Sequence, residues 1–178
     1  MDASELWDLV ETAREQVEDA DDADAVAAAL VQELAERDPD VIEAFDLALA
    51  AVLAQSYTTD LWAAAYLING GASDDGFDYF RGWLVAQGRD VFEAAVADPD
   101  SLAEVPAVRG ATAGDDELEC EEMLSVAWDA YSAATDDDLP ERAAPELPEL
   151  DPMWDFDDEQ EMRDRLPRLA ALAYDQAD

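Results

Sequence analysis

Apolar side chains recur every three or four positions along most of this chain, and no segment shows the two-residue alternation of a half-buried strand. That periodicity confines the fold to packed helices. Residues 4–18 place Leu6, Val10, Ala13 and Val17 on one face, with Ser4 at the cap position. Residues 24–37 repeat the pattern through Val26, Leu30 and Leu34. Asp38-Pro39 restarts it, a cap followed by proline at the first helical position, and Val41, Ile42, Phe45, Leu49, Val52 and Leu53 form a broad stripe. DLWAAAYLI, about residues 60–68, is apolar nearly all round and predicts a helix buried on most sides.

Gly70 and Gly71 stop that helix, and Ser73 caps the next, which runs through Phe77, Phe80, Trp83 and Leu84 to Gly88. Arg89 opens another with Val91, Phe92, Ala95 and Val96 inward, closed by Asp98-Pro99. Residues 99–116 read mostly as loop, with a helical turn at SLAEV. The last long helix of the main body spans about 117–134 and uses Leu124, Ala127, Trp128 and Tyr131. DDDLPERAAPELPELDP then holds four prolines in seventeen residues, which favours an extended connector. Beyond it, Trp154 and Phe156 are expected to dock as anchors. A short helix begins near Asp157, and Pro167 breaks or kinks it before Leu169 and Leu172. The expected architecture is all-α: a compact multi-helix core over residues 1–135, a Pro-rich connector over 136–152, and a packed C-terminal segment over 153–178.

With 178 residues, half of them hydrophobic, one domain can bury roughly 68–70% of the unfolded surface without a metal or disulfide staple. Cys120 is the lone cysteine, so no intrachain disulfide forms. No apolar run reaches membrane-spanning length, and the acidic, amphipathic start MDASELWDLVE is unlike a targeting peptide. A soluble, cytoplasmic protein is the expectation.

Forty-seven acids face nine bases, and every base is arginine, for a net charge of −38. Nucleic-acid backbones and anionic membranes recruit cationic surfaces, so neither is expected as a partner. The charge also repels itself unless salt screens it. A saline cytoplasm, a GC-rich genome or a basic partner would each account for such a composition.

The residue types close several chemistries. Without histidine there is no Ser-His-Asp triad, no Cys-His pair and no imidazole metal site. Cys120 stands among Glu119, Glu121 and Glu122, whose charge disfavours its thiolate. Without lysine there is no P-loop. The glycines of 70–76 follow no strand and make no dinucleotide fingerprint. An EF-hand loop built on Gly76 would place Gly71 first and Ser73 third, and fails. No catalytic residue, cofactor or metal ligand is assigned. A paired-carboxylate enzyme survives elimination, but with 47 acids some close pair is inevitable.

The stretch NGGASDDGFDYFRGW, residues 69–83, concentrates the unusual residues: Asn69, Asp74, Asp75, Gly76, Asp78, Arg81 and Trp83, with Arg89 just beyond. Ser73 as cap puts Asp74 and Asp75 in a first turn, where the helix dipole favours negative charge. Asp78 and Arg81 stand three apart and can pair. Gly76 and Gly82 each cost a helix ~1 kcal/mol against alanine, which close approach of a neighbour would offset. Ala63, Ala64 and Ala65 are the expected neighbour. An arginine among Phe77, Phe80 and Trp83 is buried only if carboxylates neutralise it. The stretch therefore reads first as a joint between helices, and second as a ligand site.

DLWAAAYLINGGASDDGFDYFRGWLVAQGRDVFE (60–93) and DPDSLAEV (98–105) resemble domain-of-unknown-function family 4240, an uncharacterised, mostly bacterial group. LWDLVETAR near the start and WDFDDEQEMRDRLPRLAAL near the end are similar to its flanks. The resemblance implies a cytoplasmic helical domain and transfers no activity, cofactor or catalytic residue. The family pattern usually carries cysteine where this chain has Ala72. The leading expectation is a non-enzymatic protein acting through contacts with a protein partner. A carboxylate-dependent enzyme with a pocket near 69–81, and a DNA mimic or neutraliser of a basic protein, are the alternatives. Oligomeric state is open.

Overall fold

The computed structural model describes residues 1–112, 117–141 and 147–175. Among them the fold is all-α, with no strand. α1 is Ala3–Gln16, α2 Ala23–Ala35, α3 Pro39–Gln55, α4 Thr59–Asn69, α5 Asp74–Ala86 and α6 Arg89–Ala97. A 3-10 helix at Pro99–Glu104 leads into α7, Pro106–Ala111. α8 is Glu122–Thr135, α9 Glu159–Arg165 and α10 Pro167–Asp175.

The local signals explain most boundaries. Asp22, Thr58 and Ser73 each accept a backbone N–H of the first turn they cap. α1 is capped by Asp2, not Ser4: Asp2 accepts from Glu5 N, and the Glu5 carboxylate accepts from Asp2 N at 2.7 Å. That reciprocal box satisfies two orphan donors, which Ser4 inside the first turn does not. Residues 99–112, expected as loop, are mostly helical because Pro99 and Pro106 each start a short helix at a first-turn position.

α8 lies against α2, α3 and α5, and α1 lies on α2. Its buried face is Met123, Val126, Ala127 and Ala130. The expected face was displaced by one position: Ala127 is inside, but Trp128 is 49% exposed and Leu124 and Tyr131 are half-buried. Both faces are apolar, so spacing alone could not choose between them. Residues 117–121 are not helical.

One buried cluster runs from Leu6 to Ala170 and includes Met162, Leu166, Leu169 and Ala170 of the C-terminal segment. The break at Pro167 is present, with Leu166 between α9 and α10. Asp100, only 5% exposed, holds the junction. Its carboxylate accepts from the backbone N–H groups of Arg168 and Leu169 at 2.9–3.1 Å and from Arg168 Nε at 2.9 Å. A residue 68 positions away thus caps α10. Trp154 and Phe156 are half-buried, edge to face at 4.8 Å; Phe156 meets Tyr66 and Trp154 Nε1 donates to Asp60. Residues 142–146 of the expected connector lie outside the described residues. No single described helix is long and apolar enough to cross a membrane; α3 and α4 meet that measure only together, and they are bent by 86°.

Candidate functional site

α4 ends where Gly70 adopts a left-handed φ of 68° and Gly71 a φ of 144°, values that side chains rarely permit. Gly71 N donates to the Tyr66 carbonyl at 2.8 Å, and Trp62 Nε1 donates to the Ala72 carbonyl at 3.0 Å. Ser73 Oγ then accepts from Gly76 N at 3.1 Å, and α5 begins with Asp74 and Asp75 in its first turn. The turn is thus closed from both sides by its own polar atoms.

The close neighbour of the α5 glycines is the extended segment 117–120, not the expected Ala63–Ala65 face. A Cβ on Gly82 would stand 2.3 Å from the Cys120 carbonyl oxygen, and one on Gly76 would stand 3.1 Å from Glu119 Oε1. Cys120 N donates to the Tyr79 carbonyl at 3.0 Å. Asn69 fixes the same segment by accepting from Leu118 N at 3.0 Å and donating to the Leu118 carbonyl. The segment's sequence, ELECE, carries a signal that the helical reading passed over. Leu118 and Cys120 turn inward and Glu117, Glu119 and Glu121 alternate with them, the period of an extended strip.

Arg81 is 4% exposed. Its Nη1 donates to the Leu53 carbonyl at 2.8 Å, near the end of α3, and its Nη2 pairs with Asp78. The guanidinium carbon lies 5.1 Å from the Tyr57 ring centre and 5.2 Å from that of Phe77, which stacks on Trp62 at 4.8 Å. One half-exposed carboxylate, one carbonyl and two ring faces therefore neutralise it. Nε is left without a partner. Sequence spacing pointed to Asp78; Leu53 and Tyr57 carry no local signal.

The singled-out residues do not converge on one place. Asn69, Asp75 and Gly76 line an open concavity of about 470 Å³ with Tyr79, Glu117 and Glu119. Burial, then the charge of Glu117, raises the pKa of Glu119. The charge of Glu121, the leading cause, raises that of Tyr79. Asp78 and Arg81 face the end of α3, and Asp74 is exposed on the first turn of α5. Trp83 is core, tilted on Phe80 at 5.2 Å. Arg89 is elsewhere: its N–H donates to Glu11 and its Nε to Glu93 at 2.7 Å.

Cys120 is 1% exposed and its thiol is pushed up to about 12. Burial leads, and the charges of Asp24 and Glu122 add less. Like charge was the expected cause; desolvation is the larger one. Asp24, Cys120 and Glu122 bring their ligand atoms within 4.8 Å of one another. A thiol so strongly protonated opposes the thiolate that a soft metal would need.

No curated protein and no solved structure matches the chain. The segment WDFDDEQEMRDRLPRLAAL, which resembles a family flank, falls outside the matched family residues. Those residues, 1–133, contain the glycine turn, both helices of the joint, the strip that crosses Gly82 and nearly all of α8, and over that span the chain belongs to DUF4240, a family of proteins of unknown function.

Proposed function

We propose that this protein is a cytoplasmic protein-contact module and not an enzyme. The observation that carries the reading is Trp128, half in water on α8 while the opposite face of that helix is core. A large aromatic left exposed on an otherwise acidic surface is what a contact hot spot requires. The arginines support it. All eight among the described residues pair with carboxylates of this chain, and Arg81 is committed to the joint. The surface left for partners is therefore anionic and apolar.

The test is capture from the native lysate at matched salt, comparing the wild-type protein with Trp128→Ala. A stoichiometric protein retained by the first and lost by the second is expected. Turnover in a metabolite panel that disappears on changing one carboxylate would overturn the reading.

A second reading is favoured by Glu119. A carboxyl with a raised pKa beside Glu117, in a concavity with Tyr79 and Asn69, is the arrangement of a general acid. It predicts turnover that Glu119→Gln abolishes and Trp128→Ala leaves intact.

A further inference from the structure

Asn69 is the only asparagine in the chain, and Gly70 follows it. Position 69 needs an amide and not an acid: its Oδ1 accepts from Leu118 N at 3.0 Å and its Nδ2 donates to the Leu118 carbonyl at 3.4 Å. A carboxylate could do only the first. The same choice sets a side-chain amide beside the least shielded of backbone nitrogens, that of an exposed glycine at a helix end. Gly70 has a left-handed φ of 68° and open space where a Cβ would stand.

We infer that Asn69–Gly70 is a latent self-modification site, closed by the fold and opened when the 117–121 strip lets go. The chemistry needs only water. Gly70 N attacks Asn69 Cγ; a Cγ–N bond forms and the Cγ–Nδ2 bond breaks. The side-chain nitrogen leaves as ammonia, carrying the proton that Gly70 N gives up. Water then opens the five-membered imide at either carbonyl, leaving aspartate or, with the backbone rerouted through the side chain, isoaspartate. Nothing is oxidised or reduced.

Both reacting groups are engaged in the closed fold. Gly70 N–H donates to the Tyr66 carbonyl, and Leu118 holds the amide by its oxygen and its nitrogen. Asn69 is the last residue of α4, and ring closure requires it to leave helical geometry. A terminal turn opens locally at low cost, but only release of Leu118 frees the amide. The product cannot re-form the joint. A carboxylate at 69 has no proton for the Leu118 carbonyl and stands at the negative end of the α4 dipole. It also enters a concavity already lined by Asp75, Glu117 and Glu119. Conversion is thus a one-way release of the strip that leads into α8, whether the protein is a contact module or an enzyme.

The experiment ages the full chain in warm, mildly alkaline buffer and maps it with a protease that cuts before aspartate, releasing residues 60–73. The isoaspartyl form yields that peptide uncut and about 1 Da heavier, and the aspartyl form is cut again before residue 69. Conversion in denaturing urea is expected to be at least about tenfold faster than in the folded chain. Gly82→Ala, which parts the strip from α5, should convert at least about threefold faster than wild type. Should that variant not fold, wild type in sub-denaturing urea, with its helical circular dichroism unchanged, supplies the same comparison. In denaturing urea, Gly70→Ala should slow conversion about tenfold, which assigns the attack to Gly70 N and not to water. A glutamate-specific protease should cut the 117–121 strip several-fold faster in Asn69→Asp than in wild type. Equal rates in folded and unfolded chain, no acceleration when the strip is loosened, no slowing by Gly70→Ala, or a strip in Asn69→Asp as resistant as in wild type would each overturn the inference.

Discussion

The carbonyl oxygen of Cys120 occupies the space where a side chain on Gly82 would begin, 2.3 Å from an ideal Cβ. The clash is with backbone, so no rotamer change can relieve it. Gly82→Ala gains ~1 kcal/mol of helix propensity but must part α5 from the strip that leads into α8. Overpacking of this kind costs about 1–3 kcal/mol or more, so the melting temperature should fall by several degrees. Gly110→Ala, where nothing lies within 4 Å, should instead stabilise by roughly 0.5–1 kcal/mol. Thermal melts of the two variants check both signs.

Arg81 and Asp78 should respond unequally although they pair. Asp78 is 46% exposed in its side chain, so Asp78→Asn should cost about 1 kcal/mol or less. Arg81→Ala removes a buried side chain from between Tyr57 and Phe77 and takes the Arg81 donor from the Leu53 carbonyl, which keeps only those of Ser56 N and Oγ. Its cost should be about 2–4 kcal/mol, read from urea denaturation. Equal costs would mean that the ion pair, and not the packing, holds the guanidinium.

Asp100 should govern the C-terminal helices. Asp100→Ala orphans two backbone donors and leaves Arg168 with only its more exposed partners Asp98 and Glu104, a loss of about 2–4 kcal/mol concentrated on α9 and α10. Limited proteolysis should then cut between the body and α10, while helical circular dichroism falls only modestly. Uniform destabilisation with no new cleavage would contradict this.

Burial raises the carboxyl of Asp46 above its ordinary 3.8. An acid raised in the fold binds its proton more tightly there than in the unfolded chain, so it favours folding at low pH and opposes it once ionised. Asp46→Asn should therefore raise the melting temperature at neutral pH, with the gain vanishing as pH falls through the unfolded value near 3.8. Melts across that range would test the sign.

Self-repulsion among 47 acids, with every described arginine already paired, should make stability depend on salt. Between about 0.1 and about 1 M KCl the screening length falls from ~10 to ~3 Å. The melting temperature should climb over that interval at constant pH. A flat profile would show that the acids are spaced widely enough not to interact.

The amino-acid sequence by itself determined the helical class, the Gly70–Ser73 turn, the Asp78–Arg81 pair and the break at Pro167. Each of these is local: periodicity, a left-handed glycine, a cap and a missing N–H act within a few residues. Tertiary structure decided which apolar face of α8 went inward, because Leu124–Trp128–Tyr131 and Met123–Ala127–Ala130 are both plausible seams until α2, α3 and α5 occupy one side. It also decided that Cys120, and not the alanines of α4, lies over Gly82, and that Asp100 caps a helix 68 residues away. Those outcomes depend on atoms meeting across long separations, where steric exclusion and the demand that buried donors find acceptors leave no trace in spacing.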